Sequence, residues 1–291
     1  MSMLNQQIRE VEPLGSAQLS FGANPQTVRW DTTLSAWTDI IMFGASEIVT
    51  TTPANDPLTT NWITSISITV NGTYEVVRNF TYNEYISVVQ NLEIKEANLI
   101  ANGNMLLKKF NPPLAPGTRL QVEMIVNTLA NSFTTPAATA SARMSLNLYD
   151  AQQISHNKML TIYQKIPIFP QTPGVSTNQS YQQDLGTESK TVKYLIIREL
   201  TNNNVSDSFT ARLELLANGN TIARINETSA KLHYFLISDG LAVPQGYRML
   251  KLPGRGWSAT QATTLHIKLT PHTSSATGQW DGVQILEKPY I

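Results

Sequence analysis

The stretch SISITVNGTYEVV, residues 65–77, constrains this chain more than any other. Alternation with a period of two puts Ile66, Ile68 and Val70 on one face of a strand and Ser65, Ser67 and Thr69 on the other. Asn71-Gly72 interrupts the run, and alternation resumes through Tyr74 and Val76. Asn-Gly between two such runs favours a type I′ turn, because both residues tolerate positive φ. The stretch therefore predicts a β-hairpin. The same signal recurs at ANGN 101–104 and ANGN 217–220, the second between LELL (213–216) and TIARI (221–225). The two ANGN stretches read either as an internal duplication or as two uses of a common turn.

Strand-like runs are expected near 36–50, 62–77 and 97–110. Others fall at 118–126, 142–149, 158–169, 191–200, 208–217, 220–227, 231–238 and 263–269, with a last strand in GQWDGVQILEKPYI. In TRLQVEMIV, Leu120, Val122, Met124 and Val126 share a face; in ARMSLNLY, Met144, Leu146 and Leu148 do. TYNEYISVVQNLEI (81–94) breaks the period. Tyr82, Tyr85, Ile86, Val89 and Leu92 recur at steps of three and four, which predicts a short helix with Asn83 as a cap. PPLAPG (112–117) reads as a rigid turn, SFTTPAATAS (132–141) as a loop, and 171–190 as a long aperiodic loop of the functional or inter-subunit kind. Residues 1–26, broken by Pro13, Gly15, Gly22 and Pro25, read as an N-terminal arm, leaving 27–291 as the folded domain.

About fourteen strand candidates and one or two short helices indicate an all-β chain. The expected architecture is a jelly-roll β-sandwich or barrel, which uses about eight strands, with an additional β subdomain made from the surplus. The alternative is two stacked jelly rolls, which would need about sixteen.

At 291 residues the chain can bury about 75% of its unfolded surface. It has no cysteine and no need of disulfides. Charged residues make up only 14%, balanced as 21 basic and 21 acidic, against about 25% in ordinary globular proteins. The polar load falls instead on 23 Asn, 17 Gln, 22 Ser and 33 Thr. Such a surface suits either a chain packed against neighbours, because interface centres are depleted in charge, or an ordinary polar β protein of biased composition. No apolar run reaches about 18 residues, and MSMLNQQIREVEPLG lacks the charged-then-apolar layout of a secretion signal. Five Asn-x-Ser/Thr sequons, at Asn71, Asn79, Asn178, Asn204 and Asn226, are about what this composition gives by chance, so no glycosylation is read from them.

Residue patterns that carry chemistry are sparse in this sequence. There is no Gly-x-Ser-x-Gly elbow. His156, His233, His266 and His272 form no His-x-His or His-Glu-x-x-His pair. His266 is expected on an outer strand face, and His233, in step with Phe235 and Ile237, in a core or interface. Pro253-Gly254-Arg255-Gly256-Trp257 is a turn rather than a phosphate loop. Asn202, Asn203, Asn204 and Asp207 offer oxygens without EF-hand spacing. Asp281 beside Trp280, with Glu287 nearby, is an aromatic-flanked acidic cluster better explained as strand-end ion pairs than as a glycosidase pair. Lys108-Lys109 is the only adjacent basic pair, so direct nucleic-acid binding is not expected. Trp257, Trp280, Tyr247 and Tyr290 could form a sugar platform, though aromatics near a C-terminus more often pin that end to the core. No catalytic residue, metal ligand or cofactor is assigned, and the chain is not expected to be an enzyme.

In size, lack of cysteine, neutrality and hairpins throughout, the chain resembles, from MSMLNQQIREVEPLG to QILEKPYI, the larger major capsid protein of tailless icosahedral internal-membrane bacteriophages of the Thermus-infecting type. The resemblance implies a structural capsid protein: an upright jelly roll with a projecting second subdomain. It also implies capsomers with further copies and with a second, smaller major capsid protein, over the viral membrane. Its place would be the virion, after synthesis in the host cytoplasm. One departure is that a thermophile's chain would carry more Lys and Glu. The competing expectation is a carbohydrate- or receptor-binding β-sandwich on a virion surface.

Overall fold

The computed structural model describes residues 11–51, 58–90, 93, 104–134, 139–151, 159–170, 181–184, 191–201, 204–205, 210–225, 246–252, 257–258, 264–271 and 278–289. The chain divides into two compact units, Met1–Lys158 and Met159–Ile291.

The first unit contains β1 (Val11–Ser20), β2 (Gln26–Thr33), β3 (Thr38–Thr50), β4 (Ile63–Val70), β5 (Tyr74–Phe80), β6 (Met105–Leu114), β7 (Arg119–Val126) and β8 (Ala140–Asp150). They pair antiparallel in the orders β1-β8-β3-β6 and β2-β7-β4-β5. This is the strand order of a jelly roll. Its buried faces are those the alternation marks. Ile66, Ile68, Val70, Leu120, Val122, Met124, Val126, Met144, Leu146 and Leu148 are all buried. The expected alternation fails at one place: Val76 and Val77 are both buried while Tyr74 is only half-buried. The register between β4 and β5 slips there, Ile68 facing Val77 and Thr69 facing Glu75, so a bulge turns two successive valines inward.

The second unit contains β9 (Met159–Pro170), β10 (Tyr181–Asp184), β11 (Thr191–Thr201), β12 (Asn204–Val205), β13 (Thr210–Ala217), β14 (Asn220–Ile225), β15 (Tyr247–Lys251), β16 (Trp257–Ser258), β17 (Leu265–Pro271) and β18 (Gly278–Pro289). One sheet runs β10-β17-β13-β14; in the other, β9, β18 and β11 lie side by side, and β12, β15 and β16 pair with β11. Setting aside the two-residue strands β12 and β16, the remaining eight repeat the order of the first unit: first-eighth-third-sixth and second-seventh-fourth-fifth. The surplus strands thus form a second jelly roll, which is the alternative architecture rather than an added subdomain on one roll.

The duplication has a residue-level signature, but not the one expected. ANGN 217–220 is the β13–β14 turn, with φ of 49° at Asn218 and 81° at Gly219. Its counterpart in the first roll is the β4–β5 turn, with φ of 52° at Asn71 and 70° at Gly72. In each turn the Asn fastens the start of the seventh strand of its roll. The Asn71 N–H donates to the Arg119 carbonyl at 2.8 Å, and its Oδ1 accepts the Arg119 N–H at 3.0 Å. The Asn218 N–H donates to Thr264 at 3.0 Å, and its Oδ1 accepts the Thr264 N–H at 3.2 Å. Residues 101–103 of the other ANGN lie outside the described residues, and Asn104 leads into β6.

Other expectations shift. The arm expected over 1–26 is not an arm over its second half: Val11–Ser20 is the outer strand β1, paired with β8. Pro13 and Gly15 hid it, yet Pro is tolerated at an edge or bulge, and the register does slip between Pro13 and Ser16. The single domain expected over 27–291 is divided at Lys158/Met159. The turn expected over 112–117 begins later, because β6 runs through Pro112 and Pro113 to Leu114. Tyr181–Asp184, inside the long loop expected at 171–190, is strand β10. The strand expected at 231–238 lies outside the described residues.

Candidate functional site

The acidic cluster of the C-terminal strand resolves into cross-strand ion pairs. Asp281 lies opposite Arg198, which grips both carboxylate oxygens, Nε to Oδ1 at 2.8 Å and Nη2 to Oδ2. Glu287 meets Lys193 at 3.1 Å. Each carboxylate is matched by a cation from β11, so the two do not form an acid/base pair. Trp280 is fully buried and donates its indole N–H to the Thr210 hydroxyl at 2.6 Å, while Tyr247 is buried in β15. Neither is part of an exposed sugar platform. The side chain of Trp257 and residue Tyr290 lie outside the described residues, as do His156, His233, His272, Asn202, Asn203, Asp207 and Pro253–Gly256. His266 is half-buried between the buried Leu265 and Ile267, the outward position that the alternation predicts. Among the described residues no three His, Asp or Glu side chains group as metal ligands. Among them, too, no helix is long and apolar enough to cross a membrane.

The charged groups that do converge are buried and satisfied. In the second roll Glu199 (β11) and Arg248 (β15) are both 0% exposed. The Arg248 Nε donates to Glu199 Oε1, and its Nη2 donates to the Thr210 carbonyl at 2.8 Å. Glu199 Oε2 accepts the Thr210 N–H at 2.9 Å, and the Thr210 hydroxyl takes the Trp280 indole N–H. Thr210 opens β13, which belongs to the other sheet, so the ion pair ties the two sheets of this roll together. The signal was present in the sequence: Leu195, Ile197 and Glu199 are in step on the buried face of β11. A carboxylate at an apolar-phase position calls for a buried cation.

The first roll carries a second such place. Leu106, Lys108 and Phe110 are in step on the buried face of β6. Lys108 is 1% exposed, pairs with Glu93, donates to the Lys109 carbonyl at 2.6 Å, and lies 4.9 Å over the Phe110 ring. Burial pulls the Lys108 ammonium below its ordinary range, and Glu93 opposes that shift. The adjacent basic pair is therefore not a surface patch.

The helix that supplies Glu93's neighbourhood begins at α1 (Tyr82–Glu84) and widens to π geometry over Tyr85–Gln90. Its cap is Thr81 rather than Asn83. The Thr81 hydroxyl accepts the Glu84 N–H, and the Glu84 carboxylate accepts the Thr81 N–H at 2.8 Å, a capping box. Widening changes the buried set from the one expected of a regular helix to Tyr85, Val88, Val89 and Gln90. Three side chains then reach the outer edge of β6, the last strand of its sheet. Tyr85 donates its hydroxyl to the Leu107 carbonyl at 3.1 Å. Gln90 Oε1 accepts the Leu107 N–H at 2.9 Å, and Glu93 Oε2 accepts the Lys109 N–H at 2.9 Å. Burial, reinforced by Glu93, holds the Tyr85 hydroxyl protonated well above the ordinary phenol range.

On the surface, β2 carries a charged outer face in which Arg119 clasps Asp31 at 2.8 and 2.6 Å, Gln121 joins at 2.7 Å and Arg29 stands at 3.7 Å. The Arg119 hydrogen bonds hold the Asp31 carboxyl well below the usual range. Val49 on β3 is the one large apolar side chain strongly exposed among the described residues, at 62%. What this surface offers is strand edges, hairpin tips and neutral polar faces, with its described charges largely matched in pairs.

No protein-family model matches the chain, and a search of curated proteins finds no relative. Solved structures do match over its whole length. The major capsid protein P2 from bacteriophage PM2 is 11% identical, with a TM-score of 0.64 over 98% of each chain. The fold is similar to that of viral major capsid proteins. A chain in the atomic structure of Sulfolobus Turreted Icosahedral Virus is 10% identical, with a TM-score of 0.66 over 97% of this chain and 91% of that one. A chain of the PBCV-1 virus capsid is 11% identical, with a TM-score of 0.57 over 98% and 96%. At these identities the likeness is one of fold, and the matched length spans both rolls.

Proposed function

We propose that this chain is a structural major capsid protein that builds a viral shell by packing against copies of itself. The observation that carries the reading is the full-length match of both rolls to the capsid protein of bacteriophage PM2, 98% of each chain. The physical character of the chain agrees. With 14% charged residues and no net charge it lacks the self-repulsion that keeps lone proteins apart. The buried Glu199–Arg248 and Lys108–Glu93 pairs are matched inside the rolls that hold them. Its place is the virion, and its role is structural rather than catalytic.

Two rolls in one chain also support a particular arrangement. Three copies supply six roll-shaped pillars, enough for a pseudo-hexagonal capsomer in a closed lattice where many weak contacts multiply. The resemblance to the Thermus-infecting internal-membrane phages adds a second, smaller jelly-roll protein and an underlying membrane. Because this chain already holds a pair of rolls, self-assembly is the arrangement the topology favours. Native mass spectrometry of the purified 32.2 kDa chain, alone and mixed with a smaller coat protein, tests this. Three-copy species from the chain alone support the reading. Assembly only in the mixture supports the two-protein lattice instead, and a monomer under both conditions defeats both.

A further inference from the structure

We propose that the helix 82–90, with Glu93, is an autoinhibitory guard that keeps the β6 edge from pairing with a strand of a second copy of this chain. A strand at the end of a sheet offers its outward N–H and C=O groups as a template for another strand. β6 is such a strand, being last in the order β1-β8-β3-β6. Its outward groups are occupied by side chains instead of by a neighbour. Leu107 has its carbonyl bound by Tyr85 and its N–H by Gln90. Lys109 has its carbonyl bound by the Lys108 ammonium and its N–H by Glu93. Four successive main-chain positions of a would-be ladder are thereby filled. Further along the same strand stand Pro112 and Pro113, which have no N–H to offer. Protection by side chains and protection by proline thus follow one another along a single strand.

The guard is latched. The carboxylate that covers Lys109 also pairs with the buried Lys108 ammonium, so lifting it would take the carboxylate from a cation that is 1% exposed. Across the π geometry of 85–90, Tyr85 and Gln90 both meet Leu107, and Glu93 meets Lys109 two residues further along the strand. Resting on the reading of this chain as a shell protein, the occupant that the guard excludes is a second copy, because a shell concentrates identical chains and strands are the dominant element of this one. In this account the guard directs association toward roll faces and tips and away from open-ended edge pairing.

The test uses the full chain carrying Gln90→Ala, Glu93→Ala and Lys108→Met together, the last so that no unpaired ammonium is buried. In dilute solution the Leu107 and Lys109 amides should exchange about 100-fold faster than in the unmodified chain. At concentrations where the unmodified chain forms no arrays or shells, sedimentation should show larger species of the triple variant, with those two amides protected again. Adding Lys109→Pro, which removes an outward donor, should abolish these species. A companion variant, Glu93→Gln with Lys108→Met, keeps an oxygen over the Lys109 N–H and should behave as the unmodified chain does. The proposal is overturned if the triple variant sediments like the unmodified chain at every concentration, or if both amides stay slow in it. It is equally overturned if the companion variant associates as the triple variant does, since damage to the fold would then explain the association.

Discussion

Replacing Arg248 by Met removes the cation from a carboxylate that is 0% exposed. Glu199 would keep the Thr210 N–H but lose the Arg248 counter-charge, and the Thr210 carbonyl would lose the Arg248 donor. Breaking one side of a buried ion pair costs about 3–5 kcal/mol. Glu199→Leu should cost a similar amount, because it removes the carboxylate that the buried Arg248 Nε meets. In the double variant the ion pair is gone from both sides, and its removal is close to neutral. What remains is the Thr210 N–H and carbonyl without these partners, each worth about 1–3 kcal/mol, so the double variant should be destabilised by about 2–6 kcal/mol, less than the two singles combined. For a unit of about 130 residues each kcal/mol moves the midpoint by about 3–4 °C. The single variants should therefore lower the melting transition of the second roll by about 9–20 °C. Calorimetry of the full chain reads this, with amide exchange in β11 and β13 assigning the transition to that roll. Strictly additive losses, or single-variant losses under about 1 kcal/mol, would show that the Glu199–Arg248 pair does not clamp the two sheets.

Gly282→Ala should destabilise the same roll by about 1–3 kcal/mol or more, because its Cβ would stand 2.5 Å from the Ile196 carbonyl and 2.8 Å from Ile197 Cδ1; urea unfolding checks it. Asn71→Ala and Asn218→Ala should each cost about 2 kcal/mol, combining a left-handed backbone that alanine resists with a lost hydrogen bond. The double variant should show additive losses, because the turns lie in separate units. Asp31 is held well below the usual carboxylate range by Arg119, so its contribution to stability is complete above about pH 4 and fades as the pH falls below that. Asp31→Asn should therefore flatten the acid limb of a stability-versus-pH curve by lowering the curve above about pH 4, without altering the slope of its alkaline side.

Much of the fold was legible in local pattern. The clean alternation of 118–126 and 142–149 marked two inner strands, and Asn71-Gly72 and Asn218-Gly219 marked two true hairpins. β2 was legible but passed over, since Val28 and Trp30 alternate with exposed Thr27, Arg29 and Asp31. β1 was not, because Pro13 and Gly15 erase the alternation and its pairing with β8 joins residues more than a hundred positions apart. Sheet order is non-local in the same way, which is why a surplus of strands could stand for a subdomain or a second roll. The helix was predicted, but its π geometry was not, since no short-range spacing distinguishes it from an ordinary turn. Glu199 and Lys108 were visible as charges in an apolar phase, whereas their partners Arg248 and Glu93 came from other elements.

The central claim is that this chain is a two-roll building block made to touch copies of itself. Electron cryomicroscopy of the purified chain, concentrated until it orders, tests that most directly. The account predicts two-dimensional arrays or closed shells in which three chains present six roll-sized pillars per repeat. A chain that stays solitary at every concentration, or arrays whose repeat shows one pillar per chain, would contradict it.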